Sequence, residues 1–197
     1  MTARPLVLAS ASPARLRLLR EAGLDPLVVV SGFDEDSLRV DDPREQVEQL
    51  ATRKAEVVAA GQRDALVIGC DSMLLFDGEL LGKAASTDEV VARWRRLRGR
   101  AGVLLTGHCV IDTSSGAQVS AVGETTVRFG SPDDEELAAY AGTAEALRVA
   151  GPFTIDGRAS AFVEGIDGDA GNVIGISLPL LRELLAKLGV RVTDLWS

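Results

Sequence analysis

Three charged residues occupy positions where the local sequence pattern disfavours their charge. Arg15 lies in the first turn of a predicted helix, where the helix dipole disfavours a cation. Lys54 shares the apolar stripe of a second predicted helix, and Asp71 stands between two apolar segments. A buried lysine needs an anion or a route to solvent, and a buried carboxylate needs a cation, a metal or several N–H donors. These side chains are therefore candidates for a charge-binding site.

The segment around Arg15 has the pattern of a strand, a turn and a helix. The apolar run Leu6–Ala9 predicts a short buried strand, Ser12 is a good N-cap and Pro13 a good first helical residue. Unpaired N–H groups at such a helix start attract anions, and arginine binds phosphate oxygens in a fork. The hydroxyls of Ser10 and Ser12 would add donors for an anion. The alternative is an ordinary capped helix with Arg15 in solvent.

Lys54 and Asp71 belong to elements typical of an α/β protein. A helix is predicted from Asp42 to about Ala60, and an apolar strand from Ala65 to Cys70 precedes Asp71. For Lys54, snorkelling to solvent and binding an anion are equally compatible with the pattern. For Asp71, function is favoured because perturbed buried carboxylates gather at active sites.

Two further charged residues lie in predicted turns. Glu35 belongs to an acidic turn, and Lys83 ends a hairpin whose turn is Asp77-Gly78. The alternative for both is a solvated side chain in a loop. The only histidine, His108, lies in a predicted strand and is interpreted as structural; a site made of several histidines is thereby excluded.

The remaining pattern predicts a mixed sheet flanked by helices. Strands alternate with helices in the first half, and long strands occupy the middle, which favours an α/β fold with a partly antiparallel sheet. The other predicted elements are a helix opened by Ser86, strands over 103–111 and 117–129, a helix capped by Ser131 that runs to Ala141, a strand over 161–164, a turn over 167–172 and a last helix over 178–188.

Composition limits the class of protein. The 197 residues suit one domain, and the net charge of −8 argues against non-specific nucleic-acid binding. No window reaches the ~18 apolar residues that cross a bilayer, and no signal peptide is recognised. Cys70 and Cys109 fall in apolar runs and are expected to be reduced thiols of a cytoplasmic protein. Neither GxxxxGK[ST] nor GxGxxG is present.

Several segments together resemble the Maf family of nucleoside triphosphate pyrophosphatases, which was once described as a family of septum-formation inhibitors. They occur in family order and cover nearly the whole chain. The matching segments are Leu8–Arg15, Leu50–Ala55, Gly69–Ser72, Gly78–Lys83, Leu97–Arg100, Ile155–Gly157 and Gly168–Leu180.

The resemblance implies a cytoplasmic hydrolase that depends on Mg²⁺ or another divalent cation. Such an enzyme cuts a nucleoside triphosphate between the α and β phosphates and releases a monophosphate and pyrophosphate. The family fold is a mixed central sheet flanked by helices, with two lobes around a cleft, similar to the inosine triphosphatase fold. A homodimer is compatible with the resemblance, although no apolar stripe of this sequence predicts one.

The resemblance also carries functional positions onto this chain, namely Ser10, Arg15, Glu35, Lys54, Asp71, Lys83 and, near the base, Asp156. A triphosphate requires cations, which Arg15, Lys54 and Lys83 would supply together with magnesium. Glu35 and Asp71 would be the magnesium ligands. Asp71 is also the favoured candidate for orienting or deprotonating the attacking water, and the sequence does not separate this role from metal binding.

The chain departs from the family pattern at six positions. The most relevant departure is Asp156, where the family commonly has glutamine, because it puts the preferred base in doubt; the others are Ala14, Cys70, Ser72, Ala84 and Gly102. Two alternative functions follow. One is a pyrophosphatase for deaminated purine triphosphates, and the other is a non-catalytic nucleotide-binding regulator of cell division.

Overall fold

The computed structural model describes residues 4–197, whose strands form one mixed seven-stranded sheet. The order is β2-β1-β3-β5-β6-β7, and β4 pairs with β3; β1 is parallel to β2 and β3, whereas β3 with β4 and β6 with β7 are antiparallel. The predicted α/β class with a mixed sheet is confirmed. The strands are β1 (Leu6–Leu8), β2 (Leu27–Val28), β3 (Leu66–Phe76), β4 (Glu79–Leu81), β5 (Ala101–Asp112), β6 (Ala117–Phe129) and β7 (Val163–Asp167).

Four of the helices begin where the capping residues predict. Ser12, Asp42, Ser86 and Ser177 each accept a hydrogen bond from a backbone N–H of the first helical turn. The α-helices are α1 (Pro13–Glu21), α2 (Pro43–Ala59), α3 (Thr87–Leu97), α4 (Asp134–Ala141), α5 (Ala170–Ile174) and α6 (Leu178–Lys187). Short 3₁₀ helices cover Glu35–Ser37, Arg158–Phe162 and Val192–Leu195. No helix among residues 4–197 is both long and apolar enough to cross a membrane.

Some predicted boundaries are wrong. The helix α4 is capped by Asp133 and not by Ser131, because Asp133 and Glu136 form a reciprocal capping box that satisfies two N–H groups. The strand predicted over 161–164 begins later, at Val163, since a 3₁₀ helix covers the residues before it. The turn predicted over 167–172 contains the start of α5.

The chain divides into two compact units. Among the described residues, the first unit consists of the chain up to Asp71 with Thr106–Gly123 and Gly175–Ser197. The second unit consists of Ser72–Leu105 and Glu124–Ile174.

The first unit has buried apolar residues on both faces of its strands. Leu6 and Leu8 belong to one buried cluster and Val7 to another, as the alternation of side chains along a strand requires. Cys70 and Cys109 are buried free thiols, as predicted. Burial raises the pKa of Cys70 to about 11 and that of Cys109 to about 12, so both are protonated and unreactive at neutral pH.

The core of the second unit surrounds Trp94. Its side chain is fully buried and makes edge-to-face contacts with Phe129, Tyr140 and Phe162. The indole N–H donates to the carbonyl oxygen of Pro152 at 2.8 Å, so the polar edge of the ring is also satisfied. This aromatic cluster anchors α3 within the unit.

Candidate active site

Lys54 lies between the carboxylates of Asp71 and Glu35. Its Nζ is 2.5 Å from Asp71 Oδ1 and 2.6 Å from Glu35 Oε1. Lys54 and Asp71 are buried, with exposed fractions of 8% and 5%, whereas the Glu35 side chain is 52% exposed. The sequence allowed the Lys54 side chain either to reach solvent or to bind an anion, and the structure shows that it binds anions. The structure therefore brings together three of the predicted site residues in one ion-paired cluster.

Two glycines explain how α2 places Lys54 beside Asp71. A Cβ atom at Gly69 of β3 would overlap the Ala51 carbonyl oxygen of α2, and one at Gly107 of β5 would overlap the Val47 carbonyl. The helix therefore lies directly on the backbone of both strands, with no side chain between them. Lys54 follows Ala51 by one helical turn and shares its face, so its side chain reaches the strand near Gly69.

Asp71 is a carboxylate with one paired and one unpaired oxygen. Its position lies inside the continuous strand β3, not between two strands as the sequence suggested. Oδ1 accepts a hydrogen bond from Lys54 at 2.5 Å, and the buried Oδ2 has no hydrogen-bond partner. Burial raises the pKa of Asp71 above its ordinary value, while the charges of Lys54 and Arg15 act in the opposite direction. An unsatisfied buried carboxylate oxygen is costly, which is typical of a site built for a ligand.

Arg15, at the start of α1, donates hydrogen bonds to a backbone carbonyl and to a serine hydroxyl. Its Nε donates to the Gly175 carbonyl oxygen at 2.8 Å, and its Nη1 donates to Ser10 Oγ at 2.9 Å. The alternative of an arginine in solvent is wrong, since the side chain is half-buried. Ser12 Oγ accepts from the Arg15 N–H at 3.4 Å, so this hydroxyl serves as the helix cap. The contribution of Gly175 was not predicted, because the contact spans 160 positions of sequence.

A buried glutamine secures the chain that follows Glu35. Gln46 of α2 is 3% exposed; its Oε1 accepts from the Val40 N–H at 2.6 Å and its Nε2 donates to the Leu38 carbonyl at 3.0 Å. Glu35 itself begins a 3₁₀ helix where the sequence predicted only a turn. Sequence reasoning missed Gln46, although a signal existed: it precedes Leu50 by four residues and so lies on the inward stripe of the helix.

Lys83 and Asp156 belong to the second unit. Lys83 is exposed beyond the end of β4, and its backbone forms an isolated bridge with Ala150. Asp156 is exposed, and its carboxylate accepts a hydrogen bond from Thr154 Oγ1. Thr154 is itself buried, so it gives the Asp156 side chain a fixed anchor within this unit.

The carboxylates of the Lys54 cluster fit a magnesium ion that arrives with a phosphate ligand. Within residues 4–197 no group of three or more His, Cys, Asp or Glu side chains could hold a metal by itself. Mg²⁺ does not require such a group, because it keeps several waters and is commonly held by one or two carboxylates plus substrate phosphates. Glu35 and Asp71 supply two carboxylates, one with an unpartnered oxygen, and their hard oxygen donors suit this ion.

Comparison with known proteins identifies the family of this chain. The family model described as Maf-like protein matches residues 5–188. A Streptomyces avermitilis protein named "Nucleoside triphosphate pyrophosphatase" is 61% identical over 196 residues, which cover 98% of this chain and 95% of that protein. A protein of the same name from Synechococcus sp. (strain JA-2-3B'a(2-13)) is 52% identical over 194 residues and 98% of both chains.

A third protein of that name, from Salinispora tropica, is 51% identical over 197 residues, which cover 98% of this chain and 87% of that protein. The matches extend through both units, and they include the segments that hold Arg15, Lys54 and Asp71. The chain therefore belongs to the family of Maf-like proteins.

Proposed function

We propose that this protein is a nucleoside triphosphate pyrophosphatase. It hydrolyses the bond between the α and β phosphates of a pyrimidine or non-standard (deoxy)nucleoside triphosphate and yields a monophosphate and pyrophosphate. The observation that carries the proposal is Lys54, buried between Glu35 and Asp71, with one Asp71 oxygen left without a partner. Support also comes from three relatives, 51% to 61% identical, that are named for this activity.

The cations of the site match the charge of the substrate. A triphosphate brings several negative charges, and positioning plus electrostatic stabilisation provides most of phosphoryl-transfer catalysis. Arg15 is pre-oriented by Gly175 and Ser10 and binds phosphate oxygens in this proposal. Lys54 neutralises charge beside the carboxylates, and Lys83 contributes a further positive charge on the basis of the family resemblance.

The carboxylates have two roles in this proposal. Glu35 and Asp71 hold Mg²⁺ or another divalent cation, which when bound supplies a Lewis acid that draws charge from the phosphate oxygens. Asp71 also orients the attacking water and takes up its proton, because a carboxylate whose pKa is raised by burial is a better proton acceptor than an ordinary aspartate.

The family resemblance assigns the base contact to Asp156. Asp156, fixed by Thr154, accepts hydrogen bonds from N–H groups of the base, since an ionised carboxylate has no proton to donate.

We also propose that the protein is cytoplasmic and acts as a homodimer. A link to cell-division arrest is the physiological part of the same hypothesis.

The first experiment measures pyrophosphate release with Mg²⁺ across UTP, dTTP, CTP, modified pyrimidine triphosphates, methylated GTP and ITP. Wild-type protein is compared with Asp71→Asn, which keeps the size of the side chain and loses its charge. The matched control is Asp112→Asn, a second buried aspartate, whose carboxylate pairs with Arg4 and accepts from Ser114. Release from pyrimidine or methylated substrates, abolished in Asp71→Asn and retained in Asp112→Asn, is the expected result.

Two outcomes contradict this proposal. Preferred hydrolysis of ITP would indicate a pyrophosphatase for deaminated purines. Binding of nucleotides without release of pyrophosphate from any of them would indicate a non-catalytic regulator.

A further inference from the structure

The single histidine of the chain is fully buried and makes hydrogen bonds at both ring nitrogens. His108 Nδ1 lies 2.9 Å from the Thr106 carbonyl oxygen, and Nε2 lies 2.9 Å from the backbone nitrogen of Ser177. A carbonyl can only accept and a backbone N–H can only donate. The partners therefore assign a neutral ring with its proton on Nδ1 and a lone pair on Nε2 directed at Ser177.

Ser177 belongs to a short segment that also orients Arg15. The segment starts at Gly175, whose carbonyl accepts from Arg15 Nε at 2.8 Å, and ends at Ser177, the N-cap of α6. Ser10 Oγ is the second acceptor, at 2.9 Å from Nη1. Two acceptors on different nitrogens fix both the position and the rotation of the planar guanidinium.

The fit between this segment and Arg15 leaves little room for movement. Gly175 has φ +136°, a conformation that side chains disfavour, and a Cβ atom there would lie 3.2 Å from Arg15 Nε and 3.3 Å from Arg15 Cγ. A shift of the backbone at Ser177 would therefore change the placement of the Gly175 carbonyl relative to the guanidinium.

We propose that His108 is a positioning residue for Arg15. By accepting the Ser177 N–H, its Nε2 holds the segment 175–177 so that the Gly175 carbonyl orients the guanidinium for a phosphate of the substrate. His108 does not touch the substrate and acts through the backbone. This inference deepens the proposed function and rests on it, because Arg15 is the phosphate-binding group of that proposal.

Three variants separate positioning from packing. His108→Leu removes the acceptor, and His108→Gln restores one because Gln Oε1 can take the place of Nε2. The control Ser86→Ala removes the hydroxyl cap of a different helix, α3, and leaves the segment 175–177 unchanged. We expect His108→Leu to raise KM for the best triphosphate about tenfold with kcat within about twofold, because ground-state binding is lost. His108→Gln should recover most of this loss, and Ser86→Ala should lower the melting temperature with KM unchanged.

Coupling to Arg15 provides the decisive comparison. In an Arg15→Gln background, His108→Leu should raise KM by less than about twofold, since residues that act through one another are non-additive. An equal tenfold effect in both backgrounds would overturn the proposal. So would a His108→Leu variant that loses thermal stability and retains wild-type KM, since the role would then be packing alone.

Nuclear magnetic resonance tests the same inference without turnover. With only one histidine among 197 residues, ¹⁵N-labelled histidine gives a single imidazole signal set. We expect the pattern of the Nδ1–H tautomer at neutral pH, and a charged or Nε2–H ring would overturn the assignment.

Calorimetry with inorganic pyrophosphate should show about tenfold weaker binding for His108→Leu. If the wild type cleaves no triphosphate, the proposed function fails, whereas the resonance and pyrophosphate measurements still decide the role of His108.

Discussion

Gly69 of β3 lies so close to the Ala51 carbonyl of α2 that no side-chain atom fits between them. Gly69 and Asp71 lie on the same face of the strand, and Ala51 and Lys54 lie on the same face of the helix. The close approach at Gly69 therefore sets the distance over which the Lys54 ammonium reaches the Asp71 carboxylate. A backbone contact between two small residues thus determines the geometry of the charged cluster.

The first prediction concerns that contact. Gly69→Ala places a methyl group against a backbone carbonyl, which cannot move without shifting α2, and overpacking of this kind costs about 1–3 kcal/mol of stability. Because the helix carries Lys54, we expect kcat/KM to fall at least about tenfold, as small misplacements at a site do. Gly61→Ala is the control, since a Cβ there meets only the Val58 carbonyl at an ordinary 3.7 Å. Equal kcat/KM values for the two variants would contradict the argument.

The second prediction removes the charge from the centre of the cluster. Lys54→Met leaves the Asp71 carboxylate buried without its cation, and breaking such a pair costs about 3 kcal/mol of stability at neutral pH. We expect kcat to fall by about 100-fold or more, because a preorganised positive charge is lost from the site. Chemical denaturation and steady-state kinetics measure the two effects.

The double variant Lys54→Met with Asp71→Asn separates stability from catalysis. Without an ionised carboxylate there is no unpaired buried charge, so much of the lost stability should return while activity stays absent. Recovery of activity together with stability would show that Lys54 is only structural.

The third prediction follows from the raised pKa of Asp71. Since catalysis requires its ionised form in the proposed mechanism, the acid limb of kcat/KM should lie above 3.8, the ordinary aspartate value. The same shift affects folding: a carboxyl whose pKa is raised on folding favours the folded state most below its unfolded pKa, and this contribution is lost as pH rises through the folded pKa. The stability of Asp71→Asn relative to wild type should therefore increase as pH rises from the unfolded pKa of Asp71 to its folded pKa. Denaturation curves from pH 4 upwards that show the opposite trend would exclude a raised pKa.

Much of the fold was predictable because its signals are local. The caps at Ser12, Asp42 and Ser177 and the apolar stripe that includes Lys54 each arise from neighbouring residues, and the structure confirms them. The strand β3 shows the limit of such reasoning. Polar Asp71-Ser72 resembles a break, yet the ladder continues through it, because pairing partners distant in sequence decide where a strand ends.

The charged residues of the candidate site could be singled out from the sequence, whereas their contacts could not. Arg15, Lys54 and Asp71 stood out because their charges conflict with their local environment. The anchor of Arg15 is a backbone carbonyl at Gly175, and backbone groups carry no signature in sequence. Which carboxylates Lys54 meets likewise depends on how closely α2 packs on the sheet.

The fourth prediction tests whether the loop after Glu35 must be tethered. Gln46→Met keeps the volume of the side chain and removes both hydrogen bonds, to Val40 N–H and to the Leu38 carbonyl. Each lost bond costs about 0.5–1.5 kcal/mol, and the chain that carries Glu35 gains freedom. We expect the concentration of Mg²⁺ for half-maximal activity to rise about tenfold, because a ligand held less firmly binds the ion less well. Gln49→Met, a half-buried glutamine on the same helix, should leave it unchanged. If Gln46→Met required the same Mg²⁺ concentration as the wild type, the position of Glu35 would not depend on the hydrogen bonds of Gln46.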